Sequence, residues 1–272
     1  MKKVLIIFGS VSDSAVYERI TKYLKENGIG YDMRICSAHR TPDMLDEILA
    51  GSHKRYSLVV AGAGLAAHLP GVIASKTTLP VIGIPCSGSL EGLDSFLSIL
   101  QMPAGYPVLT TGIAGIPSES IKLIMNSRMK GINIIEKDFS DEHENRRVLD
   151  CEKLIQEIGM DYVFKKDVQP GRININFYRL EQGPGHDICK QKALVINVPL
   201  KEKTDMSDGI RIAKSAGDCL LLGINRGENA AIACAQILNS SCGLDRALDR
   251  LRKDMKDKVI NDDRQVRDTK TA

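Results

Sequence analysis

The chain opens on a short apolar run rich in branched residues, Val4–Phe8, which stops at Gly9-Ser10. Apolar residues then recur at helical spacing from Ser14 to Asn27, and Gly28 ends the pattern. This predicts strand, loop and helix. Tyr31–Ile35 reads as a second strand. Thr41-Pro42-Asp43 then starts a helix, with Thr41 as N-cap and Pro42 at the first helical position. Leu58–Ala61 is a third strand running into Gly62-Ala63-Gly64, and Leu65–Lys76 a helix broken by Pro70-Gly71. Pro80–Pro85 is a fourth strand, Leu93–Leu100 a helix, and Pro107–Ile113 a fifth strand.

Strands alternating with helices imply an α/β fold, a parallel sheet covered on both faces. Ligands of such sheets bind beyond the carboxyl ends of the strands. Three polar loops fall there: Gly9–Asp13, Ser37–Arg40 and Gly62–His68.

From about Gly131 the pattern returns in worn form. Ile134-Ile135, Ser140-Asp141 and Gly159–Tyr162 echo Ile6-Ile7, Ser12-Asp13 and Gly28–Tyr31. Val195–Pro199 echoes Val81–Pro85, Ser207–Ile210 resembles Leu90–Leu93 in position, and Gly223-Ile224 echoes Gly112-Ile113. We therefore expect a degenerate tandem repeat, with residues 1–130 as the catalytic domain and 131–272 as a second copy ending in helices. The alternative is one domain carrying an insertion over residues 114–222. The second part has no counterpart of Ser37–Arg40 or Ala67–Gly71.

Composition narrows the function classes. A hydrophobic fraction of 43% supplies a substantial core, and 4% aromatics without tryptophan argues against a protein that stacks many bases or sugars. The net charge of +3 is close to balanced, and acids interrupt the basic stretch Arg246–Arg267, which reads as a solvated helix. Neither nucleic acid nor membrane is an expected partner. The seven cysteines form no CxxC pair and stand at no zinc-ligand spacing, so reduced thiols in a cytoplasmic protein are expected. The first apolar run is too short for a signal peptide.

Gly9-Ser10-Val11-Ser12-Asp13 places a glycine turn, two hydroxyls and backbone N–H groups at a helix N-terminus, where an anion is favoured. It suits a phosphate or a ribose, and it equally suits simple capping by Ser12 or Asp13. In Ser37-Ala38-His39-Arg40 the arginine can grip a phosphate and the histidine can move a proton near neutrality. Ala61–Gly71 packs small residues around His68, where a backbone can approach a flat ligand. A nicotinamide cofactor is rejected, because Ala67 breaks any G-x-G-x-x-G and the ribose-binding acid is missing. Ser87–Gly92 is an ordinary loop or a lid. His53, His143 and His186 lack polar company and read as structural or solvated.

Gly9–Asp13, Ser37–Pro42, Ala61–Gly71, Lys76–Pro85 and Gly92–Pro103, in this order across residues 4–113, resemble the PurE family of N5-carboxyaminoimidazole ribonucleotide mutases and related aminoimidazole ribonucleotide (AIR) carboxylases. Asn229–Leu238 resembles the family's last core helix, which there follows the fifth strand directly. The resemblance implies a three-layer α/β/α domain with a flavodoxin-like sheet, in purine biosynthesis, acting on a small aminoimidazole ribonucleotide. It implies that Ser10, Ser12 and Arg40 hold the phosphate, that Asp13 holds the ribose, and that Ser37, Gly62 and Ala67 complete the binding site. His39 would donate and accept the proton, and His68 would line a carbon dioxide site. No metal or organic cofactor is implied. The intact Ala67-His68-Leu69-Pro70-Gly71 points to the mutase rather than the direct carboxylase; a non-catalytic nucleotide-binding or assembly protein is the other alternative. Family members form octamers, so a tandem chain would form a tetramer of octamer-like symmetry, its worn half serving assembly.

Overall fold

The computed structural model describes residues 2–126, 128–139, 141–185, 188 and 192–269. The first five strands are β1 (Lys3–Phe8), β2 (Tyr31–Ile35), β3 (Tyr56–Ala63), β4 (Val81–Pro85) and β5 (Leu109–Thr110). Between and after them lie α1 (Ser14–Glu26), α2 (Pro42–Leu49), α3 (Ser52–Arg55), α4 (His68–Lys76), α5 (Leu93–Leu100) and α6 (Ser118–Asn126). The rest of the chain gives β6 (Ile132–Ile135), α7 (Glu142–Ile158), β7 (Tyr162–Lys165), β8 (Ile173–Arg179) and β9 (Val195–Leu200). It ends with α8 (Met206–Ala216), β10 (Leu220–Leu221), α9 (Gly227–Cys242) and α10 (Asp245–Thr269).

Among the described residues these ten strands make one sheet, in the order β2-β1-β3-β4-β5-β10-β9-β8-β6-β7. Read inward from either edge, each half runs second, first, third, fourth, fifth strand. Pairing is parallel within each half, while β5 and β10 meet antiparallel through Thr110 and Leu221. The carboxyl ends of the two halves therefore lie at opposite edges of the sheet.

Both faces of the first half are apolar, as continuous runs in a covered parallel sheet must be. Val4, Ile6, Phe8, Leu58 and Val60 pack with Ile20 and Leu24 of α1, in a core that continues across Ile132, Ile134, Ile173 and Ile175 to α7 and α9. Leu5, Ile7, Val59, Ala61 and Val81 pack the other face against α2 and α4. The second half differs on that face. Residues 166–172 connect β7 to β8 without a helix. Buried Asn133, Asn174, Asn176 and Asn197 stand in the strands instead. Asn133 donates to Asn174 (2.9 Å), Asn176 to Asn197 (2.7 Å) and to the Pro184 carbonyl (2.8 Å). Buried amides need such partners.

The structure corrects several expectations. The fifth strand is Leu109–Thr110 alone, because beyond it Gly112 bonds to the Gly217 carbonyl. The helix expected from Leu65 begins at His68; Leu65 itself is left-handed (φ 55°), and Pro70 and Gly71 fit inside the helix instead of breaking it. Ser207–Ile210 lies inside α8, whereas Leu90–Gly92 is a left-handed turn before α5, so this echo fails. The Gly223-Ile224 echo is matched by its next residue, since Ala114 and Asn225 are both left-handed (φ 53° and 61°). Among the described residues five cysteines are free thiols, but Cys219 is disulfide-bonded, against the expectation of reduced thiols. Ser140, His186 and Cys189 lie outside the described residues.

Candidate active site

Four strands of the first half end in register: Phe8 lies beside Ile35 and Gly62, and Ala63 beside Pro85. Their loops consequently share one edge. Three of these loops bring together the polar residues expected to act, and the fourth adds a residue that sequence reasoning missed.

After β1, Ser10 caps a single turn of 3₁₀ helix, Val11–Asp13, and accepts from the Ser12 N–H at 3.2 Å. The Ser12 hydroxyl donates to Ser10 at 2.8 Å. Asp13 stands at the N-cap of α1 but makes no capping bond. Capping thus explains Ser10 and not Asp13, whose carboxyl meets the Cys86 thiol instead. Burial holds that carboxyl above the usual carboxylate range, and the neighbouring Cys86 thiol opposes the shift. Cys86, the first residue after β4, is buried, and burial beside Asp13 pushes its thiol up to about 12.

After β2, Thr41 does not cap α2 as expected. Its hydroxyl donates to the Ser37 carbonyl (3.1 Å) and accepts from the Ser37 N–H (3.0 Å). Ser37 Oγ in turn accepts from the Arg40 N–H at 3.3 Å. These bonds close the loop and turn His39 and Arg40 outward, both exposed. Arg40 Nη2 donates to the Gly9 carbonyl at 3.0 Å, tying this loop to the first. The guanidinium has five donors, so the bond to Gly9 leaves others facing the same loop pair.

After β3, His68 opens α4. Its Nδ1 stands 3.1 Å from His39 Nε2, with the rings edge to face and centroids 5.1 Å apart. One ring must donate and the other accept, so the tautomer of one fixes that of the other. Two residues separated in sequence thus become one hydrogen-bonded pair. Gly62 and Ala67 are buried under this loop. An added Cβ on Gly62 would sit 2.1 Å from Phe8 Cε1, which makes this glycine a packing requirement.

The remaining histidines are apart from this edge. His53 is exposed on α3, and His143 on α7 keeps a buried, unpartnered Nδ1. Among the described residues no three His, Cys, Asp or Glu stand together as a metal set. A hollow of about 970 Å³ lies elsewhere, where α1 and the start of α6 meet the amino ends of β9 and β10. Its charges are mixed (Arg19, Lys22, Glu26, Glu119, Asp218) and it contains none of the residues above.

The charged stretch at the C-terminus is more than a solvated helix. Leu248 of α10 is buried, and Arg252 donates to the carbonyls of Ala74 (2.7 Å), Ser75 (3.0 Å) and Thr77. It thereby caps the C-terminal end of α4, the helix that begins with His68. Nothing in the local sequence signals this contact, since its partners are backbone atoms far away in the chain.

The model of the family described as AIR carboxylase matches residues 3–124. The N5-carboxyaminoimidazole ribonucleotide mutase of Methanocaldococcus jannaschii is 45% identical over 134 residues, covering 49% of this chain and 84% of the relative. That of Thermotoga maritima is 42% identical over 175 residues, covering 61% of this chain and all of the relative. Among solved structures, PurE of Treponema denticola matches with 32% identity and a TM-score of 0.39, over 42% of this chain and 73% of its own. With identities of this size over most or all of the relatives' length, the chain belongs to the AIR carboxylase family, to which the PurE mutases belong.

Proposed function

We propose that the chain is an N5-carboxyaminoimidazole ribonucleotide mutase of purine biosynthesis, an isomerase that moves a carboxylate from the exocyclic nitrogen of the ribonucleotide to its ring carbon. The observation that carries this reading is the His39–His68 contact at 3.1 Å beside the Ser10–Ser12 turn and Arg40. Ser10, Ser12 and Arg40 hold the phosphate by charge-assisted bonds. Asp13 takes the ribose, and Ser37, Gly62 and Ala67 shape the rest of the site.

The nitrogen–carbon bond breaks, its electron pair stays on nitrogen, and His39 supplies the proton that nitrogen needs. The released carbon dioxide is attacked by the ring carbon. The ring proton then returns to His39, so no proton is gained or lost overall. His68 lines the carbon dioxide site and fixes the tautomer of His39. Two incubations test the reading: the N-carboxylated ribonucleotide alone, and AIR with bicarbonate. A mutase converts the first efficiently and the second poorly; the reverse ratio identifies the direct carboxylase, and no conversion of either leaves a binding or assembly protein.

We also propose that residues 131–272 are a second, degenerate copy of residues 1–130. Each set of five strands follows the same order, and α9 succeeds β10 and packs on α7 as a second copy's own last helix would. The helices between the second and third strands of the first copy, α2 and α3, have no counterpart at residues 166–172 of the second. That copy serves assembly, as half of an octamer-like tetramer. A biosynthetic role of this kind belongs in the cytoplasm; among the described residues no helix is long and apolar enough to cross a membrane.

A further inference from the structure

α4 presents His68, and little within that helix fixes where His68 stands. It has nine residues, so His68 and Lys76 lie about 12 Å apart along its axis. A helix this short does not persist on its own propensity, and Pro70 and Gly71 lower that propensity further. Its N-cap residue, Ala67, offers no side-chain bond. The Lys76–Asp46 pair at the far end (2.7 Å) is exposed, so water weakens it. Firmer holds come from beyond residue 131, the half without counterparts of His39 and His68. Arg252 of α10 meets three carbonyls in the last turn of α4, and its guanidinium carbon lies 5.4 Å from the Tyr106 ring centroid. Asn229 of α9, 1% exposed, accepts from the Gly105 N–H at 2.7 Å and donates to the Pro103 carbonyl at 3.0 Å. Met255 Sδ fills the space that a Cβ on Gly105 would need. The loop clasped in this way returns to α4 through Met102, whose Sδ would lie 3.2 Å from a Cβ on Gly71, three residues after His68.

We propose that Arg252 and Asn229 are positioning residues for His68: from the second half they fix α4 along its axis and so set the His39–His68 distance. The consequence for rate rests on the mutase reading; the distance does not. The pair stands at 3.1 Å, so a slide of α4 by about 0.5 Å takes it out of hydrogen-bond range. The planar guanidinium meets several acceptors at once and resists such a slide, where a point charge would follow one carbonyl. Asn229 acts on the middle of the helix through Met102 and Gly71, and Arg252 acts on its end. The second half therefore contributes to the first site without placing a loop in it. It braces the helix that carries His68 from behind.

The test uses the full chain as wild type, Arg252→Ala, Arg252→Lys and Asn229→Ala, each held below the onset of its own melt. kcat and KM are measured with the N-carboxylated ribonucleotide, and the His39–His68 distance is read from crystals of each protein. We expect kcat to fall by about tenfold in Arg252→Ala and in Asn229→Ala, since a misplacement of about 1 Å made far from the chemistry can cost 10²-fold. KM should hold within about twofold, as for a loss confined to the transition state, because Ser10, Ser12 and Arg40 lie on loops that α4 does not carry. Arg252→Lys should recover part of the lost kcat. The His39–His68 distance should exceed about 3.5 Å in the two alanine variants. A partial loss of folded protein would lower the rate but leave that distance as in wild type. Should Arg252→Ala fail to fold, Arg252→Lys and Asn229→Ala carry the same test. Folded variants with the wild-type distance, or with the wild-type kcat, overturn the positioning role alone. A wild type that forms no C-carboxylated product overturns the mutase reading, and the distances in the crystals still decide the bracing.

Discussion

Asp13 carries a cost of burial. Its carboxyl is raised by burial, so the folded protein binds that proton more tightly than the unfolded chain. Stability at this residue is then fully present below the ordinary carboxylate range and is lost as pH rises through the raised folded value. Asn resembles the protonated acid. Thermal melts of Asp13→Asn should show a higher Tm than wild type at neutral pH and a gap that closes near pH 3, below both titrations. The same variant should lose activity if Asp13 holds the ribose. A wild type more stable than Asp13→Asn at neutral pH would contradict the burial account. The residues that the structure gathers at one edge were legible in the sequence where motif and strand end coincide, as at Ser10, His39, Arg40 and His68. Cys86 was missed although it follows a strand directly. Thr41 was misread because its hydroxyl had two claims, the helix N-terminus and the Ser37 loop, and sequence cannot say which wins.

At the scale of elements, the paired ends of β1, β2, β3 and β4 decide the site, and α4 presents His68. The carboxyl end of α4 is held by Arg252, whose guanidinium meets three carbonyls. A cation at a helix C-terminus also answers the helix dipole. Arg252→Ala should destabilise the protein by about 2 kcal/mol, since several bonds to a charged donor are lost, as read by denaturant unfolding. Arg252→Lys should recover only part, because a point charge cannot serve three acceptors in a fork. A loss within experimental error for Arg252→Ala would mean that Arg252 does not anchor α10 to α4. Periodicity gave the strands and helices of residues 4–100 closely. It overran β5, because pairing there ends at a crossing to Gly217 that no local pattern announces.

At the scale of the whole molecule, the antiparallel contact of β5 with β10 turns the second set of strands end for end. Its carboxyl-edge loops lie at the opposite edge of the sheet from Ser10, His39 and His68. The strands at Ile134-Ile135 and Val195–Pro199 were visible in sequence. The antiparallel junction was not, since it depends on how two halves dock. If the second half serves assembly, the mass in solution should be four times the 29.8 kDa of the chain, by light scattering. A stable monomer would remove the assembly role.

The central claim, that the His39–His68 unit moves the proton during carboxylate transfer, is tested most directly by the rate at which His39→Asn converts N-carboxylated ribonucleotide to its C-carboxylated isomer. The account predicts a fall of about 10²-fold or more, the usual contribution of a positioned acid–base group, with an unchanged fold by circular dichroism. A rate close to wild type would contradict it.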